Sequence, residues 1–256
     1  TQLMTHLENH NLLEQFQSAY RKGHSTETAL LRVVNDLLGA ADRGRVSILS
    51  LLDLSAAFDT IDHDILCNRL KDVFGCTGVV LAWFRSYLTD RTQSVIVNNT
   101  ASAPSPLRYG VPQGSVLGPV LFTMYTQPLS SLIKTLSHSY HFFADDSQLY
   151  DSAPPADVAT LGDDMSGSIS SIADWMRDNK LKMNDDKTEL IAVGTRSKLA
   201  QTPALCMTIS DHSVSFSSSV RNLGVHLDES LSMEVHVNIL CRALNFHLRR
   251  IGKIRQ

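Results

Sequence analysis

Several things are scarce or missing in this 256-residue chain, and each absence removes a class of function. No apolar run reaches the roughly 20 residues that a membrane-spanning helix needs, so no membrane partner is expected. The amino terminus, Thr1-Gln2-Leu3-Met4, has neither a basic leader region nor an initiator methionine, and the chain reads as an excised fragment. Cysteine is limited to Cys67, Cys76, Cys206 and Cys241, with no Cys-x-x-Cys spacing. That pattern supports neither a disulfide framework nor a zinc site, and the expected home is intracellular, in the nucleus or cytoplasm. A Gly-x-Ser-x-Gly elbow is absent, and the glycine-rich stretch from Gly110 to Gly118 lacks the Lys-Ser/Thr ending of a P-loop. There is no internal repeat and no low-complexity tract; residues 215–219 read as a serine-rich turn or short linker.

Positive charge is not in excess either. A net charge of −3 and a pI near 6.3 argue mildly against indiscriminate binding to nucleic acid, which feeds on clustered Lys and Arg. The distribution says more than the total. From Ser139 to Met176 there are seven aspartates and no Lys or Arg, whereas Cys241 to Gln256 carries Arg242, Arg249, Arg250, Lys253 and Arg255 with no acid. With 43% hydrophobic and 19% charged residues, the chain can bury a substantial core.

Helical and strand-like patterns alternate. After His24-Ser25, the residues Leu30, Leu31, Val33, Val34, Leu37 and Leu38 recur at helical spacing until Gly44. Residues 46–52 form a near-continuous apolar run of the kind found in buried strands. Asp62 can cap a helix that Gly75 stops, and residues 79–88 form a second helix with Trp83, Phe84 and Tyr87. Val95-Ile96-Val97 and Asn98-Asn99 suggest a hairpin leading to the glycine-rich loop, which an apolar helix-like run follows. Pro154-Pro155 opens a long helix whose stripe is Val158, Leu161, Met165, Ile169, Ile172 and Met176. Residues 190–193 return as a strand, followed by short strands near 205–207, 214–216 and 223–227 and a helical tail from Ser232. The expected class is a mixed α/β sheet flanked by helices.

The most informative stretch is Phe142-Phe143-Ala144-Asp145-Asp146, two adjacent carboxylates between apolar runs that read as strand, turn, strand. Aspartate is a poor strand former and costly to bury unpaired, so this pair points to a bound cation, a divalent metal above all. Leu51-Leu52-Asp53 ends a second strand with a third carboxylate. Magnesium takes a few carboxylates plus phosphates and water, and a two-metal site suits in-line displacement at phosphorus. Asp163-Asp164 and Asp185-Asp186 show that a bare pair is weak evidence; they lie in helix-start or turn-like sequence and read as solvated. His63, flanked by acids, reads as the start of a capped helix, and His138 and His141 lack a third zinc partner.

Taken in order, Asp53, the loop Tyr109-Gly110-Val111-Pro112-Gln113-Gly114-Ser115 and Asp145-Asp146 resemble the reverse transcriptases of non-long-terminal-repeat (LINE-type) retrotransposons. The resemblance covers nearly the whole chain. It implies a right-hand polymerase palm (α/β, α+β) with a mixed or antiparallel sheet, partial fingers and the beginning of a thumb. The implied division is partial fingers over 1–46, palm with inserted fingers and helical elements over 47–200, and a primer-grip-like hairpin with the start of a thumb over 201–256. It also implies RNA template, DNA primer and deoxynucleoside triphosphates as partners, and two Mg2+ ions, or Mn2+, as cofactor. Asp53, Asp145 and Asp146 become both the catalytic residues and the metal ligands.

Further roles follow from the same resemblance. In Gln17-Ser18-Ala19-Tyr20-Arg21-Lys22-Gly23-His24-Ser25-Thr26, Arg21 and Lys22 would meet the triphosphate or template backbone, or would simply be an exposed basic pair. Phe58 falls where these polymerases place an aromatic gate against a ribose 2'-hydroxyl; otherwise it packs in the core. Gln113 and Gly114 would approach substrate or template, while a helix-entry turn is the plainer reading. Lys187, in a segment with Trp175, Asn179, Leu181 and Asn184, could protonate leaving pyrophosphate, although an exposed turn lysine is commoner. Residues 221–225 look like the hairpin that steadies the primer end. A catalytically silent remnant that binds nucleic acid or protein is the competing reading, and a metal-dependent phosphohydrolase a third.

Overall fold

The computed structural model describes residues 2–112, 114–209 and 212–254. Its first half is set by helix caps and one buried strand. α1 (Gln2–Asn9) buries Leu7. α2 (Thr26–Asp42) begins in a capping box, in which Ser25 Oγ accepts from the Thr28 N–H and Thr28 Oγ1 accepts from the Ser25 N–H. Its inward stripe is Ala29, Val33, Leu37 and Ala40, so Leu31 and Leu38 of the expected apolar set face outward. β1 (Val46–Leu52) and β2 (Leu54–Ser55) follow. Asp62 caps α3 (His63–Asp72) by accepting from the Asp64 and Ile65 N–H groups, and α4 (Gly78–Leu88) packs beside it. β3 (Arg91–Gln93), β4 (Ile96–Val97), β5 (Thr100–Ala101) and β6 (Ser105–Leu107) are nested hairpin pairs, β4 with β5 inside β3 with β6.

The second half carries the hairpin that matters most. After α5 (Gly118–Thr135) come β7 (Ser139–Phe143) and β8 (Asp146–Ala153), joined by a two-residue turn. α6 (Val158–Asp178) buries all six residues of the stripe read from sequence. It also contains Asp163 and Asp164 well inside its length and exposed, a correction to the helix-start reading of that pair. β9 (Lys182–Met183), β10 (Glu189–Val193) and α7 (Arg196–Leu199) follow, then the hairpins of β11 (Cys206–Ile209) with β12 (His212–Ser215) and β13 (Ser219–Asn222) with β14 (Val225–Asp228). Leu223 and Gly224 were expected to open a strand but make the β13–β14 turn, because both have positive φ, 46° and 88°. α8 (Glu234–Ile254) buries none of its residues and touches β14.

The central sheet has the order β10-β1-β8-β7, and every pairing in it is antiparallel. β1 is interior to the sheet and covered on both faces, which explains its unbroken apolar run. On one face Val46, Ile48 and Leu52 join the main core, which α6 covers; on the other Leu49 packs with Val33 and Leu37 of α2 and Val220 and Leu227 of the last hairpin. Burying each such side chain contributes roughly 1.5–3 kcal/mol, which ties both layers to one strand. The register Leu52↔Ser147 then sets Asp53 and Asp146 at the same end of the sheet, one step beyond the paired residues.

Candidate active site

Asp53 leaves the end of β1 and is held by the segment that returns beside it. Its carbonyl accepts from the Asn184 N–H at 2.9 Å, its Oδ2 accepts from Asn184 Nδ2 at 3.4 Å, and Lys187 Nζ lies 3.3 Å from the same oxygen. The short β2–β9 pairing, Leu54↔Met183 and Ser55↔Lys182, brings this segment into place. Lys187 is therefore largely exposed yet paired with Asp53, rather than an isolated turn lysine.

The β7–β8 turn presents Asp145 and Asp146. Ala144, at the first turn position, has φ 57°, a conformation that costs an L-residue about 1–2 kcal/mol. Burial, and the charge of Asp53, push the Asp145 carboxyl above the usual aspartate range. Asp146 keeps an exposed edge, but crowding by the surrounding protein, then the charges of Asp145 and Asp53, push its carboxyl up to about 6 against the opposing pull of Lys187. Asp145 belongs to the turn and Asp146 opens β8, and the two residues border different hollows. Asp146 lines an open cleft of about 550 Å³ together with Asp53, Gln148, Asp186, Lys187 and Arg221. Asp145 borders a small recess beside Leu54 and Ser147.

Among the described residues, no three His, Cys, Asp or Glu side chains are already closed into a metal-holding group. The donor chemistry nevertheless fits a divalent cation. The charge of Asp53 adds to burial in raising the cost of ionising Asp145, the charges of Asp145 and Asp53 do so for Asp146, and Lys187 is the cation that offsets both. Asp186, read from sequence as solvated, lines the same cleft, and Asp185 Oδ1 is buried without a hydrogen-bond partner. That pair lies in a turn-like segment with Asp186 exposed, as the sequence indicates, and stands beside the site because Asn184 and Lys187 are drawn to Asp53.

The glycine-rich loop is pinned from below. Gly110 N–H donates to Ile61 O at 2.8 Å, Val111 N–H to Phe58 O at 2.9 Å, and His63 Nε2 lies 2.8 Å from Gly110 O. Gly110 has φ +83°, and a Cβ there would fall 2.9 Å from Asp59 O, so no other residue fits. Gly114 has φ +77° with open space where a Cβ would be, so its glycine is required by the backbone and not by crowding within the chain. Gln113 lies outside the described residues. Ser115 Oγ clasps the loop by donating to Pro112 O at 2.7 Å and accepting from the Gly118 N–H at 3.0 Å, and Tyr87 Oη donates to it from α4 at 2.9 Å.

Phe58 stands between these parts, half-buried and stacked on Phe122 with ring centroids 4.8 Å apart. Arg21 is turned inward, donating to Glu14 O at 3.1 Å, while Lys22 is exposed. The segment before them reaches the site directly. Gln17 hydrogen-bonds the backbone of Ala144, and Tyr20, raised in pKa by burial, also feels the Asp145 charge. Sequence reasoning gave Gln17 and Tyr20 no role, since a lone polar residue before a turn has no periodicity to mark it.

The two histidines considered for zinc have other partners. His141 Nε2 lies 2.9 Å from Ser18 Oγ. His138 lies between Asp151 Oδ2 at 3.2 Å and Ser168 Oγ at 2.9 Å, an arrangement that resembles a hydrolytic triad. Ser168 is buried within α6, where backbone N–H groups are spent on helical bonds and none is left to stabilise an oxyanion. The trio ties the residue just before β7 to β8 and α6.

The chain matches, over residues 1–227, a family model described as reverse transcriptase (RNA-dependent DNA polymerase). It is 31% identical over 245 residues to the probable RNA-directed DNA polymerase from transposon BS of Drosophila melanogaster, an alignment covering 90% of this chain and 25% of that protein. It is 25% identical over 245 residues to the RNA-directed DNA polymerase from mobile element jockey of the same organism, covering 94% of this chain and 26% of the relative. The chain thus spans about a quarter of the length of these curated relatives. Among solved structures, apo telomerase from Candida tropicalis, truncated from its C-terminal domain, superposes with a TM-score of 0.61 at 16% identity, over 91% of this chain and 43% of that one. Telomerase from Candida albicans in complex with a TWJ fragment of telomeric RNA gives a TM-score of 0.61 at 14% identity, over 90% and 37%. At such identities the structural likeness bears on the fold alone, and it agrees with the palm-type α/β architecture described above.

Proposed function

Since this chain belongs to the reverse transcriptase family, we propose that it is the fingers-palm core of a retrotransposon RNA-directed DNA polymerase, adding deoxynucleotides to a DNA primer on an RNA template. The observation that carries this reading is that Asp53 and Asp145-Asp146 lie at one end of adjacent strands beside an open cleft, with the Asp145 and Asp146 carboxyls raised by burial and neighbouring negative charge. Asp53, Asp145 and Asp146 would hold two Mg2+ ions, or Mn2+. Ions held there would supply Lewis acidity, activating a primer hydroxyl and offsetting charge on pyrophosphate.

The remaining tasks fall to the chain itself. Asn184 holds the Asp53 backbone carbonyl through its N–H and reaches the Asp53 carboxylate through Nδ2 at 3.4 Å, contacts that would limit the rotamers from which Asp53 takes a metal ion. Lys187, 3.3 Å from Asp53 Oδ2, would donate a proton to pyrophosphate oxygen once it parts from Asp53. Phe58, backed by Phe122, would bar a ribose 2'-hydroxyl. Gln113 and Gly114 would meet template or sugar, and Arg21 and Lys22 the phosphates, Arg21 after release from Glu14. Within this scheme residues 1–46 are partial fingers, 47–200 the palm with its inserted elements, and 201–256 the primer-side hairpin with the start of a thumb.

Primer extension on RNA and DNA templates of equal length tests the reading. The wild-type chain should extend on RNA with Mg2+ or Mn2+, and Asp145→Asn should lose at least about 100-fold while keeping its fold. A folded Asp145→Asn protein with near-normal extension would reject the site.

A further inference from the structure

Resting on the polymerase reading, we propose that Gln17 is a positioning residue that holds the Ala144–Asp145 turn in the backbone conformation that presents the catalytic carboxylates. Gln17 Nε2 donates to Ala144 O at 3.3 Å, and Gln17 Oε1 accepts from the Ala144 N–H at 3.0 Å. One carboxamide therefore grips both polar backbone groups of the single residue at positive φ in that turn. The same Oε1 accepts from the Ala19 N–H at 2.9 Å, which stops the side chain from rotating away.

The support around Gln17 is built to the same end. Phe142 N–H donates to Phe16 O at 2.8 Å and Ser18 N–H to Phe142 O at 3.0 Å, so residues 16–18 lie alongside β7 as an added parallel bridge. Gln17 is itself only 8% exposed. A two-residue turn with alanine at a position that favours glycine carries strain, and strain persists only where surrounding structure over-determines it. Gln17 supplies that determination from a segment 127 residues away. In chemical terms it acts through the turn and touches neither nucleotide nor metal.

The test uses the 256-residue chain with Gln17→Met, which keeps length and burial but removes the hydrogen bonds, alone and combined with Ala144→Gly. Glycine adopts positive φ without penalty. We expect Gln17→Met to lower kcat for single-nucleotide addition about 10-fold, with KM for primer-template and nucleotide within about 2-fold, and to speed amide exchange at Ala144 about 10-fold. Ala144→Gly in that background should recover most of kcat, which a merely structural role would not produce. If Gln17→Met melts the protein, Gln17→Glu, which retains the acceptor and loses the donor, should show the same split in weaker form. Unchanged kcat, unchanged exchange, or no rescue by glycine in a folded protein overturns the proposal. A wild-type chain that fails to extend primers, no better than Asp145→Asn, rejects the polymerase reading and this inference with it.

Discussion

Lys187 Nζ lies 3.3 Å from Asp53 Oδ2, so the cation of one turn is paired with the carboxylate at the end of β1. The lysine side chain is 67% exposed, and an exposed pair of this kind adds little to stability. Its weight is electrostatic, in a cleft where negative charge is concentrated. On the proposed reading, a divalent ion would compete with the lysine for Asp53, and the displaced lysine would be free to meet pyrophosphate.

Lys187→Met should therefore leave the melting temperature within about 2 °C and should not weaken Mn2+ affinity, while lowering the extension rate by about 10- to 100-fold. Manganese titration followed by paramagnetic resonance and single-turnover extension on the same preparation read both quantities. An unchanged rate would return Lys187 to an ordinary surface residue.

Phe58 is half-buried against Phe122, so the proposed gate would be superimposed on a packing role. Phe58→Ala should cost on the order of 2 kcal/mol of stability, less than a fully buried phenylalanine would, and should raise incorporation of ribonucleotides relative to deoxynucleotides. Equal losses for the two substrates on one template would leave only packing.

Burial, then the charges of Arg32 and His24, hold the His141 imidazole down at about 4, against the 6.5 of a free histidine, with Asp36 pulling weakly the other way. Between those values the unfolded chain binds the proton and the folded one does not, so this contribution is complete above about 6.5 and is lost as pH falls toward 4. The loss is on the order of 3 kcal/mol. Asp146, pushed up to about 6, has the opposite sign, favouring the folded state at low pH and losing that contribution as pH rises. The two separate in a comparison of denaturation curves from pH 4 to 7: His141→Gln should lack the downward slope on acidification that wild type owes to His141, and identical pH profiles would refute this.

Asn222 Nδ2 donates to Gln148 Oε1 at 3.2 Å, linking the β13–β14 hairpin to the strand that begins at Asp146. Both side chains are buried, so Gln148→Met should loosen the hairpin and weaken primer-template affinity by about 5- to 10-fold, because Asn222 is left unsatisfied. The double variant Gln148→Met/Asn222→Leu should be more stable than the sum of its parts predicts. Additive effects, measured by melting and by fluorescence anisotropy of labelled primer-template, would show that the pair is not coupled.

Sequence alone determined the elements with strong local signals. The β1 run, the six-residue stripe of α6, the Asp62 cap and the strand–turn–strand around Asp145 and Asp146 stand in the structure at or near their expected bounds. Periodicity, capping and turn chemistry act over a few residues, so they can be read without knowing what packs where. The order of Asp53, the glycine-rich loop and Asp145-Asp146 likewise sufficed to point to the family.

Only the tertiary structure decided how those parts meet. Nothing local to Gln17 indicates that its carboxamide will grip Ala144, nor that Asn184 and Lys187 will close on Asp53 or that Asp186 will line the cleft. Leu31 and Leu38 show the same limit, since α2 has more apolar residues than its neighbours can cover and packing chose Val33 and Leu37. These contacts join residues far apart in the chain, and they form because sheet register and helix docking leave particular polar groups buried together, where each must find a partner or bear the cost of being unpaired.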